Sequence, residues 1–494
     1  MACLRMTSNI FSRSEEIKTL EEFYISLQSE FLAIYGRRRV GKTFLIKEFF
    51  NSKENIVFLK ITGLRKGLIR EQIRNFIQQV SAVFYGNAPL AVPKNWNDAF
   101  ATLQHAIRQQ PKNKKIILFF DELPWMATRN SRLLETLEYQ WNQHWSDDNR
   151  IKLIACGSSS SWIVKKLIKG RGGFHNRVTK KIHLSPFTLS ETKDFLIRNK
   201  IKLNHAQLLE IYMAMGGIPF YLLQAKKGLS ATEIIEDLAF SKDGFLLGEF
   251  DNLFSSLFDR HEDYIAVLRM ISLSHYGISQ EKLLGQLPTS LQGERGLNIL
   301  HDLEESDFIM GFKPHFHKRR GIYYRVVDEY SLFYFKWIEP VKKTLQERAL
   351  SAGNWRDLQS DAEWNTWAGY AFESVCYKHI AEIRAALKIS PTAIADTWRY
   401  IPTKKINAQG AQIDLLFDRK DNAITLCEIK YSNQPITLTK KLVADLQQKE
   451  TVLKQQTKTK KQLFWCLISA HGIVNNFYAE DIITGVVTFE DFFR

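Results

Sequence analysis

Cysteine is scarce. Five thiols, Cys3, Cys156, Cys376, Cys427 and Cys466, are spread over 494 residues, odd in number and without a C-x-x-C pair. That excludes a disulfide framework and reads as buried thiols in a reducing compartment. No apolar run approaches the roughly 18 residues that a membrane span needs. Met1 to Phe11 is too polar for a signal-peptide core. The 12 histidines show no H-E-x-x-H or other metal spacing, so no structural zinc is expected. There is no low-complexity tail and no internal repeat. A soluble, cytoplasmic protein with no membrane partner is the expectation.

What the chain does carry is positive charge. Lys and Arg number 68 against 53 acidic residues, a formal net charge of +15. That sign suits nucleic acid or an anionic surface, or merely a basic solvated exterior. Hydrophobic residues make up 45%, enough for ordinary cores, and a prior of about 150 residues per domain suggests three or so domains.

The strongest local signal is Gly36-Arg37-Arg38-Arg39-Val40-Gly41-Lys42-Thr43. It follows the apolar run Phe31 to Tyr35 and precedes a helical run, Phe44 to Phe50. Strand, glycine loop and helix in that order make a phosphate-binding loop. The loop N–H groups face phosphate oxygens, Lys42 reaches the β- and γ-phosphates, and the Thr43 hydroxyl ligates Mg²⁺. ATP and Mg²⁺ are the implied ligands.

About 80 residues on, Ile116 to Phe120 reads as a strand buried on both faces, as in a parallel sheet, and ends in Asp121-Glu122. Asp121 would hold Mg²⁺, and Glu122 would polarise the attacking water. Ile151 to Ala155 is the next buried strand. It runs into Gly157-Ser158-Ser159, where Ser158 either touches the γ-phosphate or its water, or sits in an ordinary Gly/Ser loop. Upstream, Ile10 to Glu16 leads into a helix with Ile17, Leu20 and Phe23 on one face. That segment either packs on the adenine base or only caps the helix.

These motifs, with Asn176-Arg177, Leu184-Ser185-Pro186-Phe187, Glu191 and Gly216-Gly217-Ile218-Pro219, resemble the archaeal-type ATPases of the AAA+/STAND-like branch of P-loop proteins. The likeness covers about residues 8 to 345. It implies that Arg177 contacts a phosphate, although Asn176 stands where the family usually shows Gly; a structural salt bridge is the other reading. It also implies that Gly216-Gly217 borders the nucleotide in a helical lid. A neighbouring copy's arginine often completes such sites, so a homo-oligomer is among the expected assemblies.

From about residue 260 the pattern changes. Tyr264 to Leu273, Gln280 to Leu287 and Gly296 to Glu305 read as helices, followed by strands Phe308 to Phe312 and Ile322 to Val327. The basic stretch His315-Phe316-His317-Lys318-Arg319-Arg320 lies between the strands. Three helices and a basic hairpin match a winged helix-turn-helix, with the third helix and the turn facing DNA, or with the module packed on a protein partner.

After a linker, Glu363 to Leu387 reads as a helix containing Glu373. Strands follow at Ile394 to Ile401, Gln412 to Phe417 and Ile424 to Lys430. Residues two apart share a strand face, so Glu428 and Lys430 point together, and Asp414 joins them from the neighbouring strand. Two carboxylates there would hold Mg²⁺ at a scissile phosphate, and Lys430 would stabilise charge or activate water. The bland alternative is a surface ion pair. With the helix Leu438 to Leu453 and the strand Gln462 to Ile468, this D…E-x-K arrangement resembles the PD-(D/E)XK nuclease fold over about residues 361 to 494. The resemblance implies that Glu373 is the extra acidic position such proteins often carry. Lysines from Lys440 to Lys461 line either a DNA-facing surface or a solvated helix.

The expected class is α/β: a P-loop NTPase parallel sheet (1–188), a helical lid (189–258), a winged helix (259–345), a linker (346–360) and a small PD-(D/E)XK-like domain (361–494). The expected function is an ATPase whose nucleotide state controls a nuclease-like domain acting on DNA. The alternative is an ATP-dependent DNA- or protein-binding switch with an idle C-terminal domain.

Overall fold

A computed structural model describes residues 10–128, 130–170, 176–316, 321–347, 354–360, 362–402 and 409–493. Cys3 and the His317-Lys318-Arg319-Arg320 part of the basic turn lie outside them. The chain divides into two compact units, Met1–Pro186 and Phe187–Arg494.

The strands of the first unit are β1 (Glu30–Tyr35), β2 (Ile56–Thr62), β3 (Lys115–Asp121), β4 (Ile151–Gly157) and β5 (Lys180–His183). β1, β3 and β4 are apolar runs covered on both faces, the usual state of a parallel sheet, whereas β2 alternates and β5 buries only Ile182. Every pairing is parallel, in the order β2-β3-β4-β1-β5. β4 is buried along its whole length. The helices Ile69–Phe84 and Trp96–Arg108 place Phe76, Ile77, Phe100 and Leu103 in one core with Leu59, Leu118 and Phe120 of the sheet. This order puts the end of β4 between the end of β3 and the loop that leaves β1, so three chain segments distant in sequence meet at one sheet edge.

The second unit opens on the helix Leu189–Arg198, whose cap Thr188 accepts from the Glu191 N–H while Glu191 accepts from the Thr188 N–H. Two of the orphan donors at this helix start are thereby satisfied. The helix His205–Met215 ends at Gly216 with φ +64°, a left-handed conformation that favours glycine. At Gly217 a side chain would run into the Phe187 carbonyl, and the Phe187 N–H donates to the Gly217 carbonyl at 2.7 Å. The glycine pair is thus needed for close backbone approach.

Three helices, His261–Ser272, Gln280–Gln286 and Glu294–Glu305, are followed by a small antiparallel sheet. Its strands are β6 (Ile278–Ser279), β7 (Ile309–Phe312) and β8 (Tyr323–Val326), in the order β6-β8-β7. Asp302 and Glu304 of the third helix serve this module internally. Asp302 accepts from the Tyr264 hydroxyl at 2.8 Å and Glu304 from the Gly311 N–H at 2.9 Å. His315 donates its N–H to the Thr397 carbonyl at 2.8 Å, and its ring lies 3.0 Å from Asp418.

The segment expected to be a linker is not one throughout. Asn354–Ser360 is a helix, and Trp355 is fully buried. Its ring stacks on Phe240 at 4.8 Å and meets Trp337 and Trp364 at 5.6 and 5.3 Å. Trp367 completes the group, 5.1 Å from Trp364. Apolar burial of this size outweighs the polar composition around it.

The last sheet is mixed: β9 (Ile394–Tyr400), β10 (Ala411–Asp418), β11 (Ala423–Lys430), β12 (Gln462–Ser469) and β13 (Ile483–Val487), in the order β13-β12-β11-β10-β9. β9, β10 and β11 pair antiparallel, and β11, β12 and β13 parallel. The helix expected over 363–387 is two helices, Ala362–Lys378 and Ile380–Ala386, divided at His379. The His379 imidazole is buried. Its Nε2 accepts from the Leu189 N–H at 3.0 Å and its Nδ1–H donates to the Val375 carbonyl at 2.8 Å. Neither nitrogen has room for a further proton, and burial pulls the group down to about 4.

The unfolded chain takes up a proton near the ordinary histidine value of about 6.5, and the native state does not until about 4. Stability is therefore expected to fall as pH drops from about 6.5 to about 4, by about 3 kcal/mol. Thermal unfolding at stepped pH checks this. A His379→Gln variant with the same steep decline over that window would place its origin elsewhere.

Candidate functional site

The loop after β1 is shaped by backbone that only small residues allow. Gly36 has φ +137° and Gly41 φ +96°. A side chain at Gly36 would strike the Leu184 carbonyl, while the Gly36 N–H donates to the Ser160 hydroxyl at 3.1 Å. Arg39 also adopts a positive φ, +73°. Arg37 and Val40 are buried, and Arg38 holds its guanidinium 5.8 Å from the Trp125 ring centre.

Lys42 opens the helix Lys42–Asn51 and is 6% exposed. Its ammonium donates to the Gly36 and Arg37 carbonyls at 2.7 and 2.9 Å. Burial pushes this group below the usual lysine range, while Cys156, Glu122 and Asp121 pull it back. The charge is thus held at the mouth of the loop, with its carboxylate counter-charges nearby.

The next residue, Thr43, donates its hydroxyl to Asp121 at 2.9 Å. Asp121 ends β3, is 3% exposed, and also pairs with Lys60 of β2 at 3.1 Å. A hydroxyl and a carboxylate side by side are hard oxygen donors of the kind that Mg²⁺ takes along with phosphate oxygens. Both residues therefore fit the ion.

Glu122 turns out of the strand with φ +51°. It accepts from the Ser158 N–H at 3.0 Å and from the Ser158 hydroxyl. Ser158, 1% exposed, follows β4, and the sheet order brings it there. Gly157 makes room for this approach, since a side chain on it would meet the Pro124 ring at 2.8 Å. Arg177 is exposed and forms no ion pair among the described residues. Lys60 was not singled out in the sequence. Its only signal is an outward position on an alternating strand.

If Glu122 is the base for ATP hydrolysis, Ser158→Ala is expected to leave ATP affinity within about twofold and to lower kcat about tenfold, because the carboxylate would lose the hydroxyl it accepts from. Ser158→Thr, which keeps a hydroxyl, is expected to recover most of that loss. Equal loss in both variants, or a loss confined to binding, would contradict an aiming role. The check is steady-state phosphate release beside nucleotide titration.

A second constellation lies in the second unit. The β10–β11 register sets Leu415 against Cys427 and Leu416 against Leu426, which places Asp414 beside Glu428 on one face. Asp414 sits where the β9–β10 pairing shifts register between Ile413 and Leu416, and such irregularities re-aim a side chain. Its carboxylate accepts from the Ile429 N–H at 3.0 Å and the Gln412 amide at 3.3 Å. Glu428, 3% exposed, is held by Lys449 at 2.7 Å and Lys430 at 3.1 Å. Glu373, from the helix Ala362–Lys378, lines the same cavity of about 540 Å³ with Asp414, Glu428, Lys430 and Lys449.

The electrostatics are those of crowded carboxylates. Burial, then the Glu428 charge, pushes Asp414 up to about 6. Burial, then Asp414, raises Glu373 well above the usual carboxylate range. Burial would lower Lys449, but Glu428 outweighs it and the ammonium is raised. Among the described residues no three His, Cys, Asp or Glu side chains form a group that could hold a metal ion. Mg²⁺, however, is usually held by one or two carboxylates together with substrate phosphates, and Asp414 with Glu428 supplies that donor pair. Lys449 was not distinguished from its neighbouring lysines in the sequence. Only the fold shows which rung of the helix Lys440–Thr457 faces Glu428.

Among the described residues no helix is long and apolar enough to cross a membrane. Cys156, Cys376, Cys427 and Cys466 are buried free thiols.

Residues 10–225 match a family described as an ATPase domain predominantly from Archaea. Residues 334–450 match one described as archaeal and bacterial proteins of unknown function. An uncharacterized protein of Methanocaldococcus jannaschii is 26% identical over 447 residues, which span 89% of this chain and 92% of that protein. An uncharacterized ATP-binding protein of the same organism is 44% identical over 43 residues, 9% of this chain and 73% of that protein. Among solved structures, a Walker-type ATPase of Pyrococcus abyssi shares 18% identity, covering 67% of this chain and 97% of that one at a TM-score of 0.46. The ORC2 protein of Aeropyrum pernix, in ADPNP–ADP complexes, shares 14%, covering 69% and 96% at 0.42.

Proposed function

We propose that this chain, whose residues 10–225 match a family of ATPase domains predominantly from Archaea, hydrolyses ATP in its first unit and uses the nucleotide state to govern DNA cleavage in its second. The observation that carries the first half is the pair of contacts Thr43 to Asp121 and Ser158 to Glu122. The loop N–H groups and Lys42 hold the β- and γ-phosphates, and Thr43 and Asp121 would hold Mg²⁺. Glu122, aimed by Ser158, takes a proton from the water that attacks the γ-phosphorus. Arg177, exposed and without an ion partner among the described residues, is available to that phosphate.

The second half rests on Asp414, Glu428, Lys430 and Glu373 lining one cavity. Asp414 and Glu428 would hold Mg²⁺, which supplies charge neutralisation at a scissile phosphate and acidifies a bound water. Lys430 stabilises the charge that develops on the phosphoryl oxygens, and Lys449 compensates Glu428. The three helices and small sheet of residues 261–326 serve as a winged helix on DNA. The net charge of +15 favours that partner.

One observation favours a second reading. Both Glu428 oxygens are already held by Lys449, as in a site that binds anions without cutting, and that is the ATP-dependent binding switch. Supercoiled plasmid incubated with the full chain and Mg²⁺, with and without ATP, separates the two. Nicking that responds to ATP supports the nuclease. Intact plasmid that is nevertheless shifted on a gel in an ATP-dependent manner supports the switch.

A further inference from the structure

The cavity beside Asp414 and Glu428 has a second wall that phosphate chemistry does not use. Tyr276, Arg399 and Tyr400 form it. Tyr276 stands in the turn before β6, and its ring is 43% exposed. The Arg399 guanidinium of β9 lies 5.1 Å from the centre of that ring. The turn is pinned. His275 stacks flat on Tyr370 at 3.7 Å, and Tyr276 meets the same ring edge-on at 6.3 Å. Tyr370 lies three residues before Glu373 on the helix Ala362–Lys378, hence on the same helical face. The aromatic wall is therefore fixed relative to the carboxylates by the helix that carries one of them.

Two chemistries thus share one volume. At the floor, Asp414 and Glu428 are 8% and 3% exposed, with Lys430 and Lys449 beside them. At the other wall an open aromatic ring and a guanidinium plane face the same space, the combination that stacks on nucleobases in single strands. About 540 Å³ suits a ligand the size of one nucleotide. Bases inside a duplex keep their faces against their neighbours, so they reach such a wall only when unpaired or turned out.

We infer that this cavity takes one unpaired nucleotide of a DNA strand, stacked on the Tyr276–Arg399 wall while its phosphate lies at the Lys430–Lys449 floor. This rests on the nuclease-like reading and names its substrate: single-stranded, frayed or flapped DNA rather than continuous duplex.

The test is fluorescence anisotropy on the full chain in EDTA, where no cutting occurs. The probes are a labelled single-stranded oligonucleotide, its blunt duplex, and the same strand with abasic sites. The single strand is expected to bind at least about tenfold tighter than the duplex. Tyr276→Ala is expected to weaken single-strand binding about tenfold and to leave abasic binding within about twofold. Tyr276→Phe, which keeps the ring, restores the wild-type affinity. Unfolding midpoints of both variants control for folding. Duplex binding as tight as single-strand binding overturns the inference, as does equal loss on normal and abasic strands. Failure of the underlying reading looks different: Tyr276-dependent strand binding in a protein that cuts no DNA with Mg²⁺ keeps the binding site and removes the nuclease. Asp414-dependent cutting of intact duplex that ignores Tyr276→Ala keeps the nuclease and removes this inference.

Discussion

Lys42→Ala is expected to lower ATP hydrolysis roughly 100- to 1,000-fold, the scale seen when a positioned donor to transition-state charge is removed. The effect should be large because Lys42 does two things at once. Its ammonium is nine-tenths buried and ties the Gly36 and Arg37 carbonyls together, so its loss loosens the loop as well as removing the charge that faces phosphate. Nucleotide binding should weaken with it. Glu122→Gln is expected to behave differently. ATP should still bind, since the glutamine keeps an acceptor for the Ser158 N–H, while turnover falls by roughly 100- to 10,000-fold because the base is gone. Phosphate release and equilibrium binding of a non-hydrolysable nucleotide measure the two quantities separately. Hydrolysis in Lys42→Ala within about threefold of the parent would refute the assignment of this loop.

The second large effect concerns Asp414. Asp414→Asn is expected to abolish plasmid nicking, by at least about 100-fold, and to raise the unfolding midpoint in EDTA. The two directions share one cause. Asp414 is buried beside Glu428 and Glu373, and its negative charge is held there against like charges. Asparagine keeps an acceptor for the Ile429 N–H and removes the repulsion. Buried carboxylates crowded in this way are the usual make-up of functional sites. Asp414→Ala should lose cutting equally but gain less stability, because the Ile429 N–H then lacks a buried partner. Unaltered nicking in Asp414→Asn would sink the catalytic assignment. A lower midpoint would show that the charge is stabilising where it stands.

What could be read from the chain was whatever is written locally. The phosphate loop is eight consecutive residues with glycines where backbone must curl, and the structure places it between β1 and the helix Lys42–Asn51 as expected. Asp121 and Glu122 were legible because a doubly buried strand has a distinct apolar run and ends abruptly in charge. Asp414, Glu428 and Lys430 were legible because strand periodicity is two and one hairpin holds all three. Lys60, Lys449, Tyr276 and Arg399 were not, since each reaches its site only through sheet order or through packing of a distant turn. The break at His379 carries no glycine or proline to announce it. The partner that the His379 ring meets there, the Leu189 N–H, is 190 residues away. The helix Asn354–Ser360 was missed for the opposite reason: two apolar residues, Trp355 and Leu358, in a short polar stretch say little about direction until their partners are known.

The tryptophan group around Trp355 has a consequence for how this protein meets light. Trp337, Trp364 and Trp367 lie within 5.1–6.1 Å of one another, and Trp355 lies 5.6 and 5.3 Å from Trp337 and Trp364, in edge and tilted contacts. Indoles this near share excitation, so their ultraviolet transitions couple and their emission reports on the group as a whole. All four belong to the second unit, and their burial keeps water from the rings. Coupling of the strong far-ultraviolet indole transition is therefore expected to add a couplet to the circular dichroism of the full chain. That signal offers a label-free optical gauge of whether the second unit is intact while nucleotide or DNA is added.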